Sequence, residues 1–254
     1  MRQNRITETG IGEIGITETK GAEVSRAANG RQERAAAGGT RIIGVTGGVG
    51  SGKSSVLDYL AEHYRCRVIK ADEAAHIVEF PGGACYEPIR ELLESCGERS
   101  GDGSAPWLNP DGTFNGSGMA ALLFRSPGLL EKVNALVHPA VKEYLLEEIR
   151  AEREKGELDY LFIEAALLIE NGFLQIVDEM WYIYCQKEQR IRRLEESRGY
   201  TRQKAQAIMD AQLSEEAFRE ACDTVIDNSG PQEETFRQID AHLREGRRGA
   251  VLTE

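Results

Sequence analysis

The run Arg41–Val45 is apolar enough to be a buried strand, and it leads through Thr46 into Gly47-Gly48-Val49-Gly50-Ser51-Gly52-Lys53-Ser54. After it, Val56, Leu57 and Leu60 recur at helical spacing. The loop satisfies G-x-x-x-x-G-K-S/T in full. At average residue usage the bare pattern arises by chance in roughly one chain of this length in a hundred. A strand before it and an amphipathic helix after it are the contexts that separate a phosphate-cradling loop from an ordinary glycine-rich turn. Glycines let backbone N–H groups turn inward around phosphate oxygens, and the start of the helix adds the positive end of its dipole. On this reading Gly48, Val49, Gly50, Ser51, Gly52, Lys53, Ser54 and Ser55 surround the phosphates of ATP. Lys53 reaches the β- and γ-phosphates, and the Ser54 hydroxyl ligates Mg²⁺.

Four further short apolar runs read as strands: Arg65–Ile69, Tyr160–Ile163, Met180–Tyr184 and Thr224–Ile226. Segments with helical periodicity separate them. The clearest is Pro139–Lys155, where Val141, Leu145 and Ile149 repeat every four residues behind a proline suited to a first helical turn. The alternation predicts an α/β fold, a parallel five-stranded sheet flanked by helices, with ligands at the carboxyl ends of the strands. Between Ile69 and Tyr160 lie 90 residues with no clear strand, too many for one crossover. A helical subdomain inserted at about residues 73–157 is the expectation. Within it, Cys96–Gly118 is rich in Gly, Ser, Asp and Pro and reads as an irregular excursion.

A net charge of −11 over 254 residues repels nucleic acid and anionic membrane, so an anionic ligand must be held by a local site. No apolar run approaches the ~20 residues needed to cross a bilayer. The 5 cysteines include no C-x-x-C pair, which argues against a zinc site or a disulfide framework and for reduced thiols in the cytoplasm. Residues 1–40 carry no aromatic side chain and repeat Ile6-Thr7-Glu8-Thr9 as Ile16-Thr17-Glu18-Thr19. They are expected to be a disordered N-terminal extension, the body spanning about 41–245, with 246–254 a flexible tail. A monomer is expected.

Neither N-K-x-D, the guanine-reading motif, nor L-S-G-G-Q, the transporter signature, occurs. A small-molecule kinase needs a carboxylate near the acceptor hydroxyl, an acid near Mg²⁺ and arginines over the transferring phosphoryl group. Asp72, just past the second strand, fits the first role, or equally the N-cap of a helix starting at Glu73. Glu164 at the end of the third strand fits the second, or simply ends an apolar run; Glu170 is more ambiguous. Arg190, Arg192, Arg193 and Arg198 cluster beside Gly199 and fit a lid at about 188–216, or a solvated face pairing with Glu188, Glu195 and Glu196. His63 and His242 look like exposed helix positions without a role, and His138 before Pro139 reads on its own as packing.

Taken in order, several pieces resemble the dephospho-coenzyme A kinase family. They are Thr46–Ser54, Ala71-Asp72, Asp111-Gly112-Thr113, Val137-His138-Pro139, Leu167-Leu168-Ile169-Glu170, the Arg193/Arg198 segment and Val225-Ile226-Asp227-Asn228-Ser229-Gly230. The resemblance implies a P-loop, nucleotide-kinase-like body with a nucleotide-binding core, a helical substrate part and a lid. It implies transfer of the ATP γ-phosphoryl group to the ribose 3′-hydroxyl of dephospho-coenzyme A, with Mg²⁺. By the same token Lys53, Asp72, Arg193 and Arg198 are implied in catalysis, Asp72 and His138 on the substrate side, Asn228 near the adenine edge, and Ser54 and Glu164 at the metal. The sequence departs from the family pattern at Lys70, His76, Gly116, Glu164 and Ala166. Competing expectations are another nucleoside or nucleotide kinase on the same scaffold, and a non-catalytic ATP-binding regulator.

Overall fold

The structure, a computed structural model, describes residues 39–97, 103, 105–165, 168–169 and 173–251, with side chains to 244. Most of the expected N-terminal extension, together with Ala166, Leu167 and Glu170, lies outside the described residues. Thr40, read as the end of that extension, is buried, and its hydroxyl donates to Leu158 O at 2.9 Å, so the body reaches back to it.

In chain order the elements are β1 (Arg41–Thr46), α1 (Lys53–His63), β2 (Cys66–Lys70), α2 (Ala71–Glu79), α3 (Tyr86–Ser95), α4 (Gly116–Arg125) and α5 (Pro127–Lys155). There follow β3 (Tyr160–Glu164), a 3₁₀ turn at Phe173–Gln175, β4 (Glu179–Tyr184), α6 (Lys187–Arg198), α7 (Arg202–Asp210), α8 (Glu215–Ala221), β5 (Thr224–Asp227) and α9 (Gln232–Val251). The strands form one five-stranded sheet in the order β2-β3-β1-β4-β5, every pairing parallel. This is the expected fold class: a parallel sheet flanked by helices, with each expected strand present. β1 is paired on both sides, Gly44 lying opposite Ile163 of β3 and Met180 of β4. Parallel pairing requires crossovers, and it brings the carboxyl ends of all the strands to one edge.

One face of the sheet buries Ile43, Val45, Tyr160, Phe162, Trp181, Ile183 and Ile226 against Val56, Leu57 and Leu60 of α1 and Ile239 and Leu243 of α9. At the amino ends of the strands, buried carboxylates tie β1 and β4 to their neighbours. Asp178 accepts from Ile42 N at 2.8 Å and takes both oxygens to Arg153 at 2.9 Å. Glu179 accepts from Trp181 Nε1 at 2.8 Å and Thr224 Oγ1 at 2.5 Å, and meets His242 Nε2 at 2.6 Å and Arg41 Nη2 at 2.8 Å. Burial alone would raise the Glu179 carboxyl. The hydrogen bonds with His242 and Thr224 and the charge of Arg41 outweigh it and hold the group below its usual range. His242 is therefore not the idle exposed side chain expected: α9 turns it onto β4. The same helix continues to Val251, so the segment read as a flexible tail from 246 is helical that far.

Among the described residues the chain divides into two compact units, one being Ala71–Glu147 and the other holding the sheet. The first is built on α2, α3, α4 and most of α5, and buries Ile89, Leu93, Trp107, Met119, Leu122 and Val133. Its irregular stretch is held by a Leu108–Phe114 antiparallel bridge and by the Asp111 carboxylate, which accepts from Thr113 N at 2.9 Å. Tyr86 OH donates to Gly112 O at 2.5 Å, and its ring packs against Phe114.

Two helix starts differ from the sequence reading. α5 begins at Pro127 and runs straight through Pro139. Leu129, Val133, Val137, Val141, Leu145 and Ile149 form an unbroken buried stripe every four residues, and burying that stripe outweighs the one backbone donor Pro139 removes. α2 begins at Ala71, so Asp72 lies within its first turn and is not an N-cap. There an exposed carboxylate complements the positive end of the helix dipole.

Near the end of α2, burial pushes the Glu79 carboxyl up to about 7. A carboxyl raised in the folded state favours folding at low pH and loses that contribution as pH rises from the ordinary carboxylate range through about 7. Glu79→Gln is expected to raise the thermal midpoint at pH 8 and leave it nearly unchanged at pH 5. Paired melting curves at the two pH values check this.

Candidate active site

The loop Gly47–Gly52 follows β1 at the carboxyl edge of the sheet, and α1 starts at Lys53. Gly52 precedes the helix in the left-handed region, φ +89°, a conformation that side-chain-bearing residues avoid. No side chain caps α1 and no acid lies in its first turn. The first N–H groups of a helix have no intrahelical partner. Here that positive end carries no side-chain cap, with Ser54 exposed and Ser55 partly buried beside it.

Loop carbonyls, in contrast, are taken up by protein donors. Lys53 Nζ donates to Gly47 O at 2.9 Å and Ser51 N to Gly48 O at 3.1 Å. Arg190 Nε donates to Val49 O at 2.8 Å. Ser51 O accepts from Asn228 Nδ2 at 2.8 Å and from Arg193 Nη1 at 3.2 Å. Arg193 Nη2 continues to Asn228 O at 2.9 Å. Asn228 is buried, and its Oδ1 accepts from Thr235 Oγ1 at 3.0 Å. Its carboxamide is thus spent on bracing the loop. A Cβ on Gly52 would sit 2.2 Å from that carboxamide nitrogen, so the brace and the glycine require each other.

Glu164 ends β3 with Oε1 3.6 Å from Lys53 Nζ. Lysine and acid therefore share one corner of the strand edge, reached from β1 and β3, which are hydrogen-bonded neighbours. Within the sheet-bearing unit the structure brings together Lys53, Glu164, Arg193, Asn228 and the loop. Arg198 occupies the exposed last turn of α6. Asp72 and His138 belong to the Ala71–Glu147 unit. His138 is exposed, yet surrounded closely enough that desolvation lowers its pKa from the usual imidazole value.

Two participants were not singled out from the sequence. Arg190 was one of a cluster, and Gln212 carried no motif at all. Gln212 Oε1 accepts from Val49 N at 2.9 Å and from Arg190 Nη2 at 3.0 Å. The spacing of Arg190 and Arg193, three apart on a helix, places both on one face and could have marked Arg190. Nothing local marks Gln212, which depends on how α7 folds back. Ile191 and Leu194 of α6 pack on Ala205 and Met209 of α7, with Val49 of the loop set against that cluster.

Asn228→Ala removes the donor to Ser51 O and one of the two acceptors of Thr235 Oγ1, the other being Asp227 O at 3.2 Å, in a buried place. We expect a loss of about 1–3 kcal/mol in unfolding free energy together with weaker nucleotide binding, read by denaturant titration and by calorimetry with MgADP.

The dephospho-CoA kinase family profile matches residues 41–234. A dephospho-CoA kinase from Streptococcus mutans is 34% identical over 205 residues, covering 81% of this chain and 97% of the relative. One from Corynebacterium jeikeium is 35% identical over 198 residues, covering 78% and 95%. Among solved structures, a Thermus thermophilus protein superposes with a TM-score of 0.63 at 28% identity, covering 82% of this chain and 98% of its own. Dephospho-CoA kinase from Campylobacter jejuni gives 0.61 at 19% identity with the same coverage, a likeness of fold. With the family's match extending from the first residue of β1 into α9, across the loop, the arginines and Asn228, this chain belongs to the dephospho-CoA kinase family.

Proposed function

We propose that this protein transfers the γ-phosphoryl group of ATP to the ribose 3′-hydroxyl of dephospho-coenzyme A, giving coenzyme A and ADP. The observation that carries the reading is the phosphate loop, whose carbonyls are held by Lys53, Arg190, Arg193 and Asn228 while the start of α1 is left uncapped. Such a loop is built for a polyphosphate, and the family supplies the acceptor.

In this reading the loop's N–H groups and Lys53 bind the β- and γ-phosphates and stabilise the charge that develops on them. The bond from the γ-phosphorus to the β,γ-bridging oxygen breaks, and a bond from the 3′-oxygen to that phosphorus forms. The hydroxyl proton passes to the Asp72 carboxylate, and ADP leaves with the bridging oxygen's electron pair. Arg193 and Arg198 neutralise the transferring group, His138 contacts the acceptor, and Asn228 lies near the adenine edge while it braces the loop. Mg²⁺ fits the donors present: one exposed hydroxyl, Ser54, and one partly exposed carboxylate, Glu164. No group of three or more candidate metal ligands occurs among the described residues, which suits an ion held chiefly by phosphates and water. When bound it would neutralise phosphate charge.

No helix among the described residues is long and apolar enough to cross a membrane. We propose a cytoplasmic monomer acting on ATP and dephospho-coenzyme A, with no nucleic-acid or membrane partner. The test is ADP release from MgATP with and without dephospho-coenzyme A, with product mass determined. An acceptor-dependent rate with a gain of one phosphoryl group is expected. ATP binding with no rate on this acceptor overturns the reading. Asp72→Asn should lower kcat by ~10² or more with ATP affinity nearly unchanged; because Asp72 is exposed in a first turn, stability should fall by under about 1 kcal/mol.

A further inference from the structure

We propose that Arg190, held by Gln212, is a positioning residue for the nucleotide, which fixes the Gly48–Val49 arm of the phosphate loop and supplies it with an unneutralised positive charge. The proposal rests on nucleotide binding in the loop and requires no particular acceptor.

The geometry is specific. Arg190 spends Nε on Val49 O at 2.8 Å and Nη2 on Gln212 Oε1 at 3.0 Å, while the same Oε1 receives Val49 N at 2.9 Å. Val49 is thereby held at both its N–H and its C=O, and its side chain packs on the α6–α7 cluster. The guanidinium also explains a glycine. Gly48 is not in the positive-φ region, so its backbone does not demand glycine. A Cβ there would lie 2.1 Å from Arg190 Nη2 and 2.6 Å from Cζ. The missing side chain is the room in which the arginine lies.

Several arginines of the sheet-bearing unit are paired, Arg67 with Glu148 and Glu152, Arg153 with Asp178 and Arg202 with Glu188, whereas Arg193, the other arginine on the loop, is bonded to carbonyl oxygens. The half-buried Arg190 has no carboxylate within ion-pairing distance among the described residues, in a chain with 42 acidic side chains. Desolvation lowers its pKa, and only Tyr182, Cys185 and Glu215 act against that, through space. A guanidinium taken partly out of water without a counter-ion costs stability. The position is occupied nonetheless, against the phosphate loop. Gln212 completes the pattern, because a neutral amide oxygen satisfies the arginine without cancelling its charge.

The decisive variant is Gln212→Glu in the full chain. It keeps an acceptor for both Val49 N and Arg190 Nη2 and adds the missing counter-charge. The expected result is a thermal midpoint equal to or above the parent's with MgADP affinity at least fivefold weaker by calorimetry. Affinity within twofold of the parent overturns the proposal. Arg190→Lys is the second variant. An ammonium keeps the charge but loses the fixed fork that serves Val49 O and Gln212 together. MgADP binding should again weaken at least fivefold; a lowered midpoint with parental affinity would show a merely structural brace. A parent that binds MgADP yet does not phosphorylate dephospho-coenzyme A overturns the proposed function alone, and a parent that binds no MgADP overturns both.

Discussion

A loop that is to receive phosphate must keep its backbone carbonyls away from the anion, and here that condition is met by side chains brought from distant parts of the chain. Ser51 O is shared by Asn228 and Arg193, and Val49 O is held by Arg190. Each donor lies at least 141 residues away in sequence. The glycines give the loop its freedom to turn, and the donors remove the freedom that is not wanted. A flexible loop alone would have to be ordered at each binding event, at roughly 1–2 kcal/mol per residue.

The sheet makes those contacts possible. With β1 third in the order, the carboxyl ends of β4 and β5 lie on one side of the loop and that of β3 on the other. Asn228 follows β5, α6 follows β4, and Glu164 ends β3, so chain topology delivers brace, arginines and acid to one edge. The opposite edge has the reverse electrostatic character. There Asp178 and Glu179 are buried, Asp178 against Ile42 N and Arg153, Glu179 against Trp181, Thr224, Arg41 and His242. Buried charge that is paired at the amino ends serves to hold strands in place. At the carboxyl ends Arg190 and Arg193 are spent on loop carbonyls, with no carboxylate paired to either among the described residues.

The phosphate loop and the strands were legible because each is a local pattern: glycine spacing, a lysine, and short apolar runs between helical periods. Helix limits were less so. Pro139 looked like a beginning, although the stripe from Leu129 to Ile149 runs through it, because the local preference of one proline is visible and the burial of six side chains is not. Asp72 reads equally as an acceptor-side carboxylate or an N-cap from the sequence, and the start of α2 at Ala71 removes the second possibility. His242 looked idle because its partner Glu179 is 63 residues away.

What the sequence by itself determined is the chemistry on offer: a loop for polyphosphate, a parallel sheet to carry it, and the residues that mark the family. Tertiary structure alone decided how that loop is held. Arginines at 190, 193 and 198 fall in one cluster on paper, but two lie against loop carbonyls and the third at an exposed helix end. Gln212 is one amide among many until α7 folds back on α6. The physical reason is one of range. Backbone conformation and apolar periodicity act over a few residues and leave a trace in the sequence. A hydrogen bond to a carbonyl 142 residues away leaves none, since a great many side chains could have made it.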